Sequence, residues 1–245
     1  MEILIFFVAH WYLSLFAQSF FHHRYSAHQM FTMNKFTEKI FFVFSFIVQG
    51  SSYMSPKVYG AMHRMHHAHA DTEKDPHSPK YSNNVIKLMV KTYHQFKGVQ
   101  DKTIELKDAF YKNLPDWNWF DKMAGSFFVK LLWAIFYILF YIKFATAWWM
   151  FLLIPVHILM GPVHGTIVNW FAHKIGYTNH NIDNTSKNLM PFDPFMLGEG
   201  YHNNHHAHGG RANFAEKWYE IDPIYPIIRL FDWIGIIKLN PVALK

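Results

Sequence analysis

Apolar residues are gathered into four stretches along this chain, and polar, basic segments rich in histidine separate them. Ile3 to Phe21 is a 19-residue run broken only by His10, Ser14, Gln18 and Ser19. That length just suffices to cross a bilayer as a helix. No basic segment precedes it and no small-residue cleavage site follows it, which argues against a signal peptide. Phe127 to Phe171 is the longest apolar tract, 45 residues, or roughly 65 Å of helix. A hydrocarbon core is about 30 Å thick, so the tract predicts two spans joined by a tight turn. Lys143 to Ala147 is the place for that turn, because Lys143 can snorkel to the interface. Pro155 and Gly161-Pro162 predict a kink in the second of the two. Ile40 to Val48 is apolar but only nine residues long, so it predicts a buried or interfacial helix. Pro223 to Leu239, apolar with Arg229, Asp232 and Lys238, predicts another interfacial helix.

The expected fold is thus an all-α integral membrane protein. One domain, residues 1–245, has spans near 3–21, 127–143 and 147–169 plus interfacial helices, and a helical cap outside the bilayer. Whole-chain mean hydropathy, −0.03, hides this division. Charge orients it. Residues 22–123 carry 14 Lys or Arg against one in the hairpin turn, which puts the basic segment in the cytosol. The hairpin leaves and returns on that side. A multi-pass protein of a bacterial inner membrane, with its N-terminus outside, is the expected setting.

Histidine supplies the chemistry. The chain has 18 histidines and no cysteine, so disulfides, thiolate ligation and iron–sulfur clusters of its own are excluded. Three clusters stand out: H-R-Y-S-A-H (His23 to His28), H-R-M-H-H (His63 to His67) and H-N-N-H-H (His202 to His206). A pair, Asn169 and His173, closes the last apolar tract. Spacings of i, i+3 and i+4 place three imidazoles on one side of a helix. Nine histidines exceed what one ion takes, so they point to two metal ions. His69, His77, His180 and His208 lie near the clusters and would orient ligands rather than bind metal. His10, His157 and His164 lie inside apolar spans and are expected to be neutral and hydrogen-bonded to a neighbouring helix. No dinucleotide fingerprint is present, so if this is a redox enzyme its electrons arrive from another protein. The net charge of +6 fits basic flanks of membrane spans, and no nucleic-acid motif accompanies it.

In order and spacing these boxes resemble those of the membrane-bound fatty acid desaturases, in the stearoyl-CoA (acyl-CoA delta-9) desaturase-like branch. The flanks H-A-D-T-E-K-D-P-H after the second box, V-N-W-F-A-H-K-I-G-Y at the last span and G-E-G-Y before the third box extend the likeness from about His22 to Leu239. The resemblance implies an O2-dependent di-iron enzyme that places a cis double bond in a long acyl chain. Its ligands would be His23, His28, His63, His66, His67, His173, His202, His205 and His206, with Asn169 completing the set through a water. It further implies two iron ions, which zinc can replace in purified protein, a separate electron donor of ferredoxin or cytochrome b5 type, and membrane lipid around it. Two departures matter. Acyl-CoA members carry an Arg-Asp pair before the second box, where this chain has Ala61 and Met62. The usual first span of four is also missing, so the chain is a compact variant or begins downstream of that span. Acyl-CoA leads as the expected substrate and acyl-lipid follows closely, with Lys80, Lys87 and Lys91 available to an anionic head group. The rival readings are a hydroxylase or ketolase on the same scaffold and, more distantly, a metal transporter or a structural metal protein. H-E-x-x-H, which a zinc protease would need, is absent.

Overall fold

The computed structural model describes residues 1–244. The chain is mostly helical, and its sheet, among the described residues, is a single pair of two-residue strands. The first helix, α1 (Glu2–Phe16), does not stop where the apolar run stops. It widens into a π-helical extension, Ala17–Ala27, so one continuous helix carries His23. Hydropathy ends the span near Phe21, but the helix continues because its polar residues find buried partners. Ser19 Oγ donates to Glu199 Oε1 (2.5 Å), and His22 Nε2 lies 2.9 Å from the Met54 carbonyl. Arg24, fully buried, donates to Ala212 O, Glu199 and Asp222.

Gln29, in the left-handed region at φ 53°, ends that helix and turns the chain into strand β1 (Phe31–Thr32). β1 pairs antiparallel with β2 (Lys238–Leu239), Phe31 opposite Leu239. The Asn34 side chain accepts from Thr37 N and starts α2 (Lys35–Gln49). This is the helix expected from Ile40 to Val48, extended at its N-terminus. It buries Phe41, Phe42, Ser45 and Val48 and leaves Ile40 and Ile47 exposed. Gly50, φ 54°, ends it where a Cβ would come within 1.8 Å of Tyr137 Oη, so no other residue fits there.

Ser55 then caps α3 (Pro56–His69), with Pro56 in the first turn where its missing N–H costs nothing. α3 carries the second box and lies against the π-helical extension. Arg64 clamps the two together, donating to Ala27 O (2.7 Å) and Ser26 O (3.1 Å). α4 (Val85–Gln100), the short α5 (Asp108–Tyr111) and α6 (Asn118–Ala124) follow.

Among the described residues two helices are long and apolar enough to cross a membrane, the 2–27 helix and α7 (Phe127–Phe144). The turn falls after Phe144, as expected. The expected third span is not one helix with a proline kink. It is a bent pair, Trp148–Ile158 and Met160–Phe171, meeting at 74°. The break is at Leu159, between the prolines. Pro155 starts α8 (Ile154–Ile158) and Pro162 sits in the first turn of α9 (Met160–Thr166). Proline is tolerated in a first turn, so each one opens a segment and the interruption comes between them. α9 runs on into a π-helical turn, Ile167–Phe171. The third box forms α10 (His202–Ala207), and α11 (Ile224–Trp233) is amphipathic, burying Ile224 and Ile228 beneath exposed Leu230 and Trp233. The C-terminal run is therefore helical only in its first part; its end is β2.

Candidate metal centre

The three boxes and His173 converge at one end of the apolar helices, in two sets. Ring nitrogens of His23, His28, His63, His67 and His205 all lie within 4.8 Å of one another, as do those of His66, His173, His202 and His206. Each H-x-x-H-H box is split between them. At 3.6 residues per turn, i and i+4 lie about 40° apart, and i+3 falls about 60° to the other side. His63 and His67 accordingly face the first set and His66 the second. His202 and His206 face the second and His205 the first.

Within each set the ε-nitrogens point at one another. His28 and His67 bring Nε2 within 2.8 and 2.9 Å of His63 Nε2, and His23 and His67 each bring it within 3.0 Å of His205 Nε2. In the second set, His173 and His206 place Nε2 3.0 Å from His202 Nε2, and His66 places it 3.1 Å from His206 Nε2. Two nitrogens bound about 2.05 Å from one ion at a right angle would be about 2.9 Å apart.

Several of the δ-nitrogens are already committed. His23 Nδ1 donates to Glu199 Oε2 (2.6 Å) and His66 Nδ1 to Asp75 Oδ2 (2.9 Å). His173 Nδ1 lies 3.1 Å from Thr185 Oγ1 and 3.6 Å from Asp71 Oδ2. A neutral imidazole has one N–H, so a committed Nδ1 leaves a lone pair on Nε2. Lone pairs facing each other at 3 Å are satisfied by a cation between them. The donor set therefore fits two metal ions.

Electrostatics favour the same state. Burial, reinforced by neighbouring imidazoles, holds His28, His63, His67, His202, His205 and His206 well below the usual histidine range. They are neutral at pH 7, as ligation requires. Burial pushes the Asp75 and Asp71 carboxyls up, but hydrogen bonds, first among them those from His66 and His173 respectively, hold both well below the aspartate range. Glu199 behaves alike: burial is outweighed by His23 and Arg24, and its pKa falls to about 2.

These carboxylates were missed as functional groups in the sequence. Their signal was their place in the flanks: Asp71 and Asp75 lie in H-A-D-T-E-K-D-P-H and Glu199 in G-E-G-Y. Of the four histidines expected near the ligands, His77 packs over His66 at 4.4 Å between ring centroids. His69 turns instead toward Phe110, and His180 and His208 gather around Glu216. Asn169 is half-buried on the π-helical turn before His173, and its amide lies back toward Gly165. In the membrane helices His10 Nδ1 is 2.6 Å from His157 Nδ1, His157 Nε2 is 2.9 Å from Tyr141 Oη, and His164 Nδ1 is 2.9 Å from Gln18 Nε2. These are the helix-to-helix hydrogen bonds expected of them.

The chain is similar to known proteins. The family model described as fatty acid desaturase matches residues 2–231. The chain is 30% identical to the Delta-9 desaturase-like 4 protein of Arabidopsis thaliana, over 89% of this chain and 69% of that one. It is 27% identical to Delta-9 acyl-lipid desaturase 2 of the same plant, over 88% and 67%. It is 29% identical to the sn-1 stearoyl-lipid 9-desaturase of Synechocystis sp., over 89% and 66%. A plant and Synechocystis do not single out a bacterial inner membrane. The match over residues 2–231, and two imidazole sets at the tips of apolar helices, lead to one conclusion: the chain belongs to the fatty acid desaturase family, among its delta-9 desaturase-like members, and is an oxidoreductase that desaturates a fatty acyl chain.

Proposed function

We propose that this protein is a di-iron desaturase acting on an acyl chain carried by a lipid. The observation that carries the metal assignment is the convergence of nine ε-nitrogens in a set of five and a set of four. His23, His28, His63, His67 and His205 hold one iron. His66, His173, His202 and His206 hold the other, and Asn169 completes that smaller set through a water. Bound iron supplies the O2-dependent oxidising power, and imidazole suits iron among several metals. The residues supply placement: helices fixed by Arg64 and Arg24 hold the ligands, and the acyl chain must lie with one methylene pair beside them. Electrons come from a separate ferredoxin or cytochrome b5 type of donor.

The carrier assignment reverses the order favoured by sequence. Ala61 and Met62, where acyl-CoA enzymes carry Arg and Asp, are buried, and Met62 packs with Val58 and Val99. A charged clamp for CoA has no place there. Relatives named for acyl-lipid and stearoyl-lipid support the same reading. Lys80 and Lys87 are exposed beyond the second box and suit an anionic lipid surface. Residues 1–245 form one desaturase domain with the 2–27 helix, α7 and the bent pair 148–171 as three spans, and the metal centre on the cytosolic side.

Purified enzyme given stearoyl-phospholipid, stearoyl-CoA and free stearate, with a working electron donor, tests this reading. Turnover of the phospholipid is expected. Turnover of the CoA ester alone refutes the carrier assignment, and a hydroxylated product would move the chain to the hydroxylase reading.

A further inference from the structure

Outside the buried imidazoles a second kind of metal-ligand cluster faces solvent. His180 Nε2 lies 2.6 Å from Glu216 Oε2, and His208 Nε2 lies 3.6 Å from Glu216 Oε1. The two rings meet edge to face with centroids 4.9 Å apart. One ligand atom from each of the three residues falls within 4.8 Å of the others. The side chains of His180 and Glu216 are 28% and 12% exposed and that of His208 is 51% exposed, so the group is open to ions from solution.

Its parts are held in place independently. The backbone N–H groups of Asn179 and His180 both donate to Asn203 Oδ1 at 2.8 Å, which locks the 179–180 loop to α10. His208 N donates to Asn204 O, fixing the residue that follows that helix. Glu216 N donates to Glu220 Oε2 (2.7 Å). Arg211 Nη1 donates to Glu216 Oε1 (3.2 Å), which leaves Oε2 as the oxygen facing His180. Two imidazoles and one carboxylate with open positions remaining are a donor set for a divalent first-row metal ion.

We propose that His180, His208 and Glu216 form a solvent-facing site for a divalent first-row transition metal ion, separate from the buried pair. The site takes Zn²⁺ more tightly than Fe²⁺, following the general affinity order. The guanidinium of Arg211 lies beside its carboxylate and keeps it weaker and more exchangeable than the buried sets.

The test uses the full-length, iron-loaded chain in detergent. Zn²⁺ binding is followed by equilibrium dialysis, and iron is counted in the same samples. Wild type is expected to bind one Zn²⁺ beyond the iron it retains. His208→Ala and Glu216→Gln should weaken that ion at least tenfold with iron content unchanged, and His94→Ala, at an exposed position on α4, should not. Arg211→Ala should tighten it by roughly two- to fivefold, the scale of an exposed ion pair. No additional Zn²⁺ on wild type, or equal binding by wild type and the His208→Ala, Glu216→Gln double variant, overturns the proposal. The iron count stands apart from either result and reports on the buried centre alone.

Discussion

Asp75 accepts a hydrogen bond from His66 Nδ1 at 2.9 Å, and this contact decides which nitrogen of that imidazole keeps its proton. Both side chains are buried. The same carboxylate accepts from the backbone N–H groups of Asp71 and His77, so it cannot turn away. Asp75→Asn should therefore loosen metal held through His66, by roughly 10–100-fold for such an outer partner. The loss should fall on the four-imidazole set, lowering iron from near two per chain toward one. Glu199→Gln should do the same to the five-imidazole set through His23. Iron analysis after dialysis checks both, and two irons retained in each variant would show that these carboxylates do not support the ligands.

His67 and His206 belong to different sets. His67→Ala and His206→Ala should each abolish desaturation, measured as the fatty acid profile of a desaturase-deficient host, while the protein stays in the membrane. His10→Ala should retain most activity. It removes the bond to His157, which keeps Tyr141 as a partner, so the expected cost is about 1–3 kcal/mol of stability. Equal loss of activity at His10 and His67 would mean that the intramembrane imidazoles take part in the chemistry.

Arg24 has two carboxylate partners, Glu199 (3.1 Å) and Asp222 (2.6 Å), all three being nearly or wholly buried. Removing the cation leaves two acids facing each other out of water. Arg24→Leu should destabilise the fold by about 3–5 kcal/mol, the usual cost of breaking a buried pair from one side. Thermal unfolding in detergent measures it, and a loss below about 1 kcal/mol would place the variant with exposed ion pairs instead.

Burial pushes the Asp121 carboxyl up to about 6, against hydrogen bonds from Tyr53 and Ser55 that pull it down. The folded chain thus holds this proton where the unfolded chain, at an ordinary 3.8, has released it. The resulting stabilisation is complete below about pH 3.8 and is lost as pH rises through 6. Asp121→Asn should flatten that part of the stability profile. An unchanged slope between those limits would show that Asp121 titrates normally.

Reporter fusions at Lys97 and at the C-terminus should both report cytosol, and one at Ala145 should report the opposite side. The basis is the basic excess in residues 22–123 against a single Lys at the hairpin. Export of the Lys97 fusion would overturn the cytosolic placement of the metal centre.

The boxes were legible because imidazoles at helical spacing beside apolar runs are a strong local signal. The split of the second and third boxes followed from helical pitch once α3 and α10 were seen to be helices. Other features depend on partners far along the chain. Nothing near Ser19 or Arg24 announces that a polar stretch will stay helical; Glu199, Asp222 and Ala212 make that possible. Asp75 and Glu199 read as ordinary flanking acids until the fold brings them against His66 and His23. The break at Leu159 was displaced from the prolines because a first turn accommodates proline. Ala61 and Met62 read in sequence as a loss of charge, and only their burial shows that the position is core.

The pairing of β1 with β2 also sets the order in which the protein can be finished. Phe31 follows the first box and Leu239 follows the third, and Asn240 N reaches back to Met30 O at 2.9 Å. During synthesis His23 and His28 must wait for His205 to emerge before their set is complete. Neither imidazole set can be complete before the 202–206 box arrives, and the latch beside the first box closes only once residues 238–240 have followed. A metal centre built on these sets can therefore close only after the apolar helices 2–27, 127–144 and 148–171 have all been made.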